Sequence, residues 1–335
     1  MRAALAAAAV ILAQLGLGAA GGAAEWIVQA IPAAGPIRAI ETVGGEPVVA
    51  VGHGWFRIFD DGQRLRLVAT AGPALRPKPA GALPDGRIAE GRRDIARAWL
   101  ADPTERYRHG VLGDAVEAAS LVLELIDRRR DEVRLGPEAV FEDRAPRIAE
   151  FGGREHIVVV KSYLAQGSAL AVIGAQAGRY GILAETPPIG SANRWLNPAG
   201  IADFDGDGAI DIALVRMPHV LGRLELWSWR DGRLVKGIEL ADVSNHVIGS
   251  RTLGMSAVAD FDHDGRPDLA IPSFDRRALR LIAFAPGPRE LARVPLPARA
   301  ATDFALLKDM AGRPAVLLGL ENGALVIARR AVPRG

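Results

Sequence analysis

The chain of 335 residues contains no cysteine. That absence excludes disulfides, thiol chemistry and a cysteine-borne lipid anchor, so stability must come from a core and from any bound metal. An excess of either charge is also missing: 41 Lys and Arg face 39 Asp and Glu, for a formal net charge of +2. A dedicated nucleic-acid binder would gather basic residues on one face, and no nucleic-acid partner is expected. Arg87, Arg92, Arg93 and Arg97 cluster, as do Arg128, Arg129 and Arg130, but acidic residues are interleaved and both stretches read as solvated faces. The chain has no Gly-x-Ser-x-Gly elbow, no phosphate-cradling Gly loop and no metalloprotease motif. Ser244-Asn245-His246 near Asp242 holds hydrolase ingredients without the elbow, and His53 between Gly52 and Gly54 reads as a turn. No catalytic residue is therefore nominated.

One long apolar run is present, at the start. Arg2, the apolar stretch Ala3 to Leu17 and the small residues Gly22-Ala23-Ala24 have the layout of a secretory signal peptide over residues 1–24. A membrane anchor would need about 20 apolar residues and different flanks. The expectation is an exported, periplasmic or extracellular protein with no transmembrane anchor after cleavage. Twin arginines are absent from this leader.

Beyond it, short runs rich in Val, Ile, Leu and Trp alternate with Gly, Pro and Asp turns, while helical periodicity is missing over most of the length. The fold class expected is all-β. Strands are read at Trp26–Ile31, Pro47–Val51, Trp55–Phe59 and Leu65–Ala69, with a hairpin turn at Asp60-Asp61-Gly62. Ala115–Ile126 could be drawn as a helix, but a loop followed by a strand over Ser120–Ile126 matches the layout elsewhere. The Pro-containing stretch 72–94 reads as a long loop.

Repetition organises the rest. Ile201-Ala202-Asp203 matches Val258-Ala259-Asp260 at an offset of 57, and the match runs on through the following loop and strand. Fainter copies are read from Ile40, Leu100, Ile148 and Ala301, with Asp102, Glu150 and Asp303 at the start of their loops. Six units spaced by roughly 45 to 60 residues suit a β-propeller of six blades of about four strands in one domain, 25–335. The clearest units span 197–240 and 254–297. The last unit is one strand short, so the N-terminal strand Trp26–Ile31 is predicted to complete the last blade and close the ring. Trp227 and Trp229 share one face of a strand and are expected to pack between blades.

The two strong copies carry chemistry. Asp203, Asp205 and Asp207 stand at loop positions one, three and five, the Ala209 backbone carbonyl at seven and Asp211 at nine. Asp260, Asp262, Asp264, the Arg266 backbone carbonyl and Asp268 repeat the pattern. Oxygen-only ligands in a flexible loop favour Ca²⁺ over Mg²⁺ or Zn²⁺. An EF-hand needs Glu at position twelve, where Leu214 and Ile271 stand instead. His263 is expected to face solvent.

The pattern Asp-x-Asp-x-Asp-Gly-x-x-Asp, with Phe after the first Asp and an apolar strand behind, resembles the FG-GAP/VCBS repeat of integrin-like β-propellers. The resemblance implies two calcium sites at the eight Asp residues, and it stops at Asp102, Glu150 and Asp303, whose loops lack the later acids. The motif Phe-Gly…Gly-Ala-Pro is absent, so integrin-like ligand recognition does not carry over. The expected function is a binding or scaffolding module for a protein or carbohydrate ligand, with structural calcium. The alternative is a propeller hydrolase or lyase, which would need an acidic or His cluster in the central channel.

Overall fold

The computed structural model describes residues 25–61, 64–74 and 77–331, so the expected signal segment 1–24 lies outside the described residues. Among these residues every regular element is a strand, and no helix is long and apolar enough to cross a membrane. Strand β1 (Trp26–Ile31) precedes an antiparallel sheet of β2 (Ile37–Val43), β3 (Glu46–Val51), β4 (Gly54–Asp60) and β5 (Leu65–Thr70). One meander follows, with β6 (Ala89–Glu90), β7 (Ile95–Thr104), β8 (Glu117–Leu125) and β9 (Arg130–Arg134). After β10 (Ala139–Phe141) comes a second, with β11 (Arg147–Phe151), β12 (Arg154–Tyr163), β13 (Gly167–Gln176) and β14 (Arg179–Glu185). Because β10 pairs with both β8 and β12, the two meanders merge into one nine-stranded sheet.

Two four-stranded sheets come next. The first holds β15 (Leu196–Ala202), β16 (Asp211–Arg216), β17 (Arg223–Arg230) and β18 (Arg233–Leu240). The second holds β19 (Ala257–Ala259), β20 (Asp268–Pro272), β21 (Ala278–Ala283) and β22 (Arg289–Pro295). The final sheet contains β23 (Ala305–Lys308), β24 (Pro314–Gly319) and β25 (Leu325–Arg330), and its fourth strand is β1, antiparallel to β25 from Trp26↔Arg330 to Ile31↔Leu325. The whole is all-β, built of repeated antiparallel sheets, and is consistent with a β-propeller-like fold.

Alternation explains the stacking. A strand covered on both faces reads as a continuous apolar run, and its odd and even residues bury against different neighbours. In β12, Ile157 and Val159 join the cluster toward β7 and β8, whereas Val158 and Val160 join the one toward β16. In β16, Ile212 and Leu214 face back to β12, while Ala213 and Val215 face Leu269 and Ile271 of β20. In β24, Val316 and Leu318 meet Ala270 and Leu281, and Ala315 and Leu317 meet Val49 and Val51. Trp227 and Trp229 lie in the cluster between β12 and β16, and so pack between sheets.

Turn chemistry sets several hairpins. Gly44 and Gly45, with φ of 61° and 86°, form the two-residue loop between β2 and β3, the geometry that tight hairpins need. The helix option at 115–126 is replaced by strand β8.

Three boundaries differ from expectation. The stretch 72–94 is more than a loop: Leu83 is buried with Ile95 and Leu100, and β6 is the first strand of its meander. Asp102 lies inside β7 instead of opening a loop. In the last unit the leading strand begins at Ala305, and the turn acid is Asp309, which accepts from Ala311 and Arg313 N–H groups at 2.9 Å each. Local sequence similarity misplaced these because the short apolar runs there lack the Asp-rich loop that sets the phase elsewhere.

Candidate metal centres

Each Asp-rich loop joins the first and second strands of a sheet, β15 to β16 and β19 to β20. The residue after the first Asp anchors it. Phe204 and Phe261 are fully buried, Phe204 against Phe284 at 5.1 Å between ring centroids and Phe261 edge-on to Trp26 at 5.8 Å. Fixing these rings inside the sheet interfaces leaves the polar loop to curl outside.

The curl is then held by carboxylates accepting backbone N–H groups. Asp203 accepts from Gly206 at 2.8 Å and Gly208 at 3.0 Å, and Asp205 accepts from Asp207 at 3.1 Å. In the second loop, Asp260 accepts from Asp264 at 3.1 Å and Gly265 at 3.0 Å, and Asp262 also accepts from Asp264 at 3.1 Å. Gly206 (φ 75°) has His263 (φ 66°) as its counterpart, so the second copy places an exposed imidazole in the left-handed region where the first uses glycine.

The folding brings three of the four side chains of each set together. Ligand atoms of Asp203, Asp205 and Asp211 lie within 4.8 Å of one another, as do those of Asp260, Asp262 and Asp268. Asp207 and Asp264 stand aside. Asp207 pairs with Arg230 and accepts the Ala209 N–H at 2.8 Å; Asp264 accepts the Arg266 N–H at 2.9 Å and lies 3.8 Å from Arg289. Arg289 also reaches Asp262 at 2.5 Å.

Both ninth-position acids are buried at the start of a strand. Asp211 accepts from the Phe204 N–H at 3.1 Å and the Ser228 hydroxyl at 2.5 Å, while Asp268 accepts from the Phe261 N–H at 2.8 Å. Burial pushes the Asp211 carboxyl up, and it pushes Asp268 up to about 6, with the Asp262 and Asp264 charges adding to the shift. A donor set of carboxylates alone, crowded and partly desolvated, has the chemistry of a hard-cation site, and the residues fit Ca²⁺.

A second polar cluster lies at the other end of the strands. Strand β15 starts just after Trp195 and ends just before Asp203, so the loop holding His219 after β16 is remote from the acidic loop. Buried Glu142 accepts from His109 Nδ1 at 2.6 Å and from the Ser162 and Ser168 hydroxyls, and its backbone carbonyl takes the Trp195 indole N–H at 3.1 Å. Nearby Glu117 is buried with neither carboxyl oxygen hydrogen-bonded. Burial and then the Glu142 charge push it up to about 10, so it is a neutral acid. His219 Nε2 meets His246 Nδ1 at 2.8 Å; burial pushes these imidazoles down to about 4 and about 3, leaving both neutral. The Ser244 hydroxyl donates to the His246 carbonyl at 3.3 Å and its N–H to the Pro272 carbonyl at 3.2 Å, and Asn245 pins the Asn197 and Pro198 carbonyls, so this tripeptide ties loops together. Sequence reasoning missed the His109–Glu142 pair because the partners are 33 positions apart and belong to no spaced motif.

Residues 203–271, which include both acidic loops, match the model of the FG-GAP-like repeat family. The chain has no significant match among curated proteins.

Proposed function

The chain is an FG-GAP repeat protein, and on that premise we propose that it is an exported calcium-binding β-propeller acting as a binding module. The two meanders of the nine-stranded sheet count as separate blades, which gives six in all, and β1 closes the ring through the last blade. The observation that carries this reading is the pair of like acidic loops at like positions in two successive sheets. Calcium held there neutralises two crowded carboxylate sets and clamps the first strand of each sheet to the second. Asp203, Asp205 and Asp211 would hold one ion, and Asp260, Asp262 and Asp268 the other, with Asp207, Asp264 and the Ala209 and Arg266 carbonyls available to complete the shells. The ions are structural, since the loops reinforce strand ends and leave the opposite face free for a ligand. Export rests on the signal-like leader.

With affinities of extracellular modules, about 10⁻⁴ to 10⁻³ M, calcium at ~1 mM stabilises by about 0.4 to 1.4 kcal/mol per site. A chelator is expected to lower the melting temperature, and Asp205→Ala to abolish part of that response. Identical melting curves with and without chelator would sink the proposal.

The enzyme reading draws on one observation, the buried Glu142–His109 pair at 2.6 Å on the opposite face. Ser162 and Ser168, whose hydroxyls bond Glu142, are both fully buried, so neither is presented to a substrate as a nucleophile. Turnover of sugar or phosphate substrates that disappears in His109→Gln would favour it over binding.

A further inference from the structure

Four guanidinium groups converge where the heads of the first strands meet. A cavity of about 180 Å³ is lined by Arg87, Arg144, Arg147 and Arg251, with Leu253 and Asp303 completing much of its wall. Arg87 precedes β6, Arg144 precedes β11 and Arg147 opens it, Arg251 precedes β19 and Asp303 precedes β23. The acidic loops follow the tails of β15 and β19, so the cavity and the metal loops occupy opposite ends of the sheets.

The carboxylates paired with these arginines lie mainly outside the cavity wall. Arg144 is bound by Asp85 at 2.7 Å, Arg147 by Asp143 at 2.7 Å and Arg87 by Glu41 at 2.6 Å. Arg251 lies more loosely, 3.6 Å from Asp85 and 3.4 Å from Asp114. Of all these acids and Asp303, only Asp303 belongs to the cavity wall; it lies 3.9 Å from Arg87 and accepts the Gly254 N–H at 2.7 Å.

Buried Arg144 spends its donors on Asp85 and on the Asp85 and Arg251 carbonyls. Arg147, by contrast, bonds through Nη1 alone, leaving Nε and Nη2 without a hydrogen bond among the described residues. Arg147, anchored through one nitrogen with two left over, and the loosely held Arg251 both line this small space and have donors to offer the paired oxygens of a carboxylate or phosphate. The volume lies below the range of roughly 300 to 1,000 Å³ for drug-sized ligands, so it suits a charged group with little attached to it.

We infer that this cavity is the ligand site of the module and takes a small molecule bearing a carboxylate or phosphate group. The inference rests on the binding-module reading but makes no use of calcium. It is tested by calorimetric titration of the full chain at constant ionic strength with inorganic phosphate and, separately, with succinate. At least one probe should saturate with a millimolar or tighter dissociation constant. Arg147→Gln with Arg251→Gln should weaken it tenfold or more, while Arg129→Gln with Arg179→Gln, which removes the same charge elsewhere, should change it less than twofold. Should the double variant fail to fold, the single Arg251→Gln, whose contacts are loose, should still weaken binding at least threefold. Saturation by phosphate alone identifies a phosphate ester as the ligand, and by succinate alone a carboxylate. If neither probe saturates, or the cavity variants lose no more than the control, the inference is overturned; a calcium-dependent melting temperature in the same samples would then leave the calcium-stabilised reading standing.

Discussion

Glu117 and Phe261 show how differently single residues report on this molecule. Phe261 was visible in the sequence as part of a pattern, an aromatic after the first Asp of a repeated loop, and the fold shows its role: it is fully buried against Trp26. Glu117 was not, because it opens an ordinary strand and only the fold places Glu142, Asp114, Asp85 and Asp143 around it. Its consequence is a pH dependence. A folded-state value near 10 lies above the ordinary 4.5, so the folded protein keeps a proton that the unfolded chain releases, and stability falls as pH rises between those values. Glu117→Gln, which cannot ionise, should be more stable than the parent by about 1 to 2 kcal/mol at pH 8 and indistinguishable from it near pH 4.5. Chemical denaturation at the two pH values measures this, and a variant weaker than the parent at pH 8 would contradict it.

Strand identity was legible wherever a turn signal bracketed an apolar run. The hairpin at Gly44-Gly45, strands β15 to β18 and the pairing of β1 with β25 follow from alternation, glycine and a last sheet short of one strand. The stretch 72–94 failed that test because its prolines and small residues signal a loop, whereas one buried leucine and a two-residue strand decide its role. Leu83 donates its N–H to Leu100 at 2.9 Å and sits in the cluster with Ile95 and Leu121. Leu83→Ala should therefore cost about 2 to 4 kcal/mol in equilibrium unfolding. A loss under about 0.5 kcal/mol, the usual surface value, would return the segment to the status of a dispensable connection.

At the scale of the whole molecule, apolar clusters join the sheets in series from β2–β5 through β23–β25, β19–β22, β15–β18 and β11–β14 to β6–β9. Between the two ends of that series no apolar cluster is found among the described residues. Arg87 reaches Glu41 at 2.6 Å there instead, so the seam of the proposed ring is a polar one. The metal loops stand well away from this seam, on the middle sheets, which suits reinforcement of local strand pairing rather than closure. The acidic set was legible as a pattern, but the division of labour within it was not: Asp207 turns to Arg230, a partner 23 positions away. Calcium titration by calorimetry tests the central claim most directly. The account predicts two ions per chain, one in Asp205→Ala or Asp262→Ala and none when both are replaced; a parent chain that takes up no calcium, or variants that keep its stoichiometry, would contradict it.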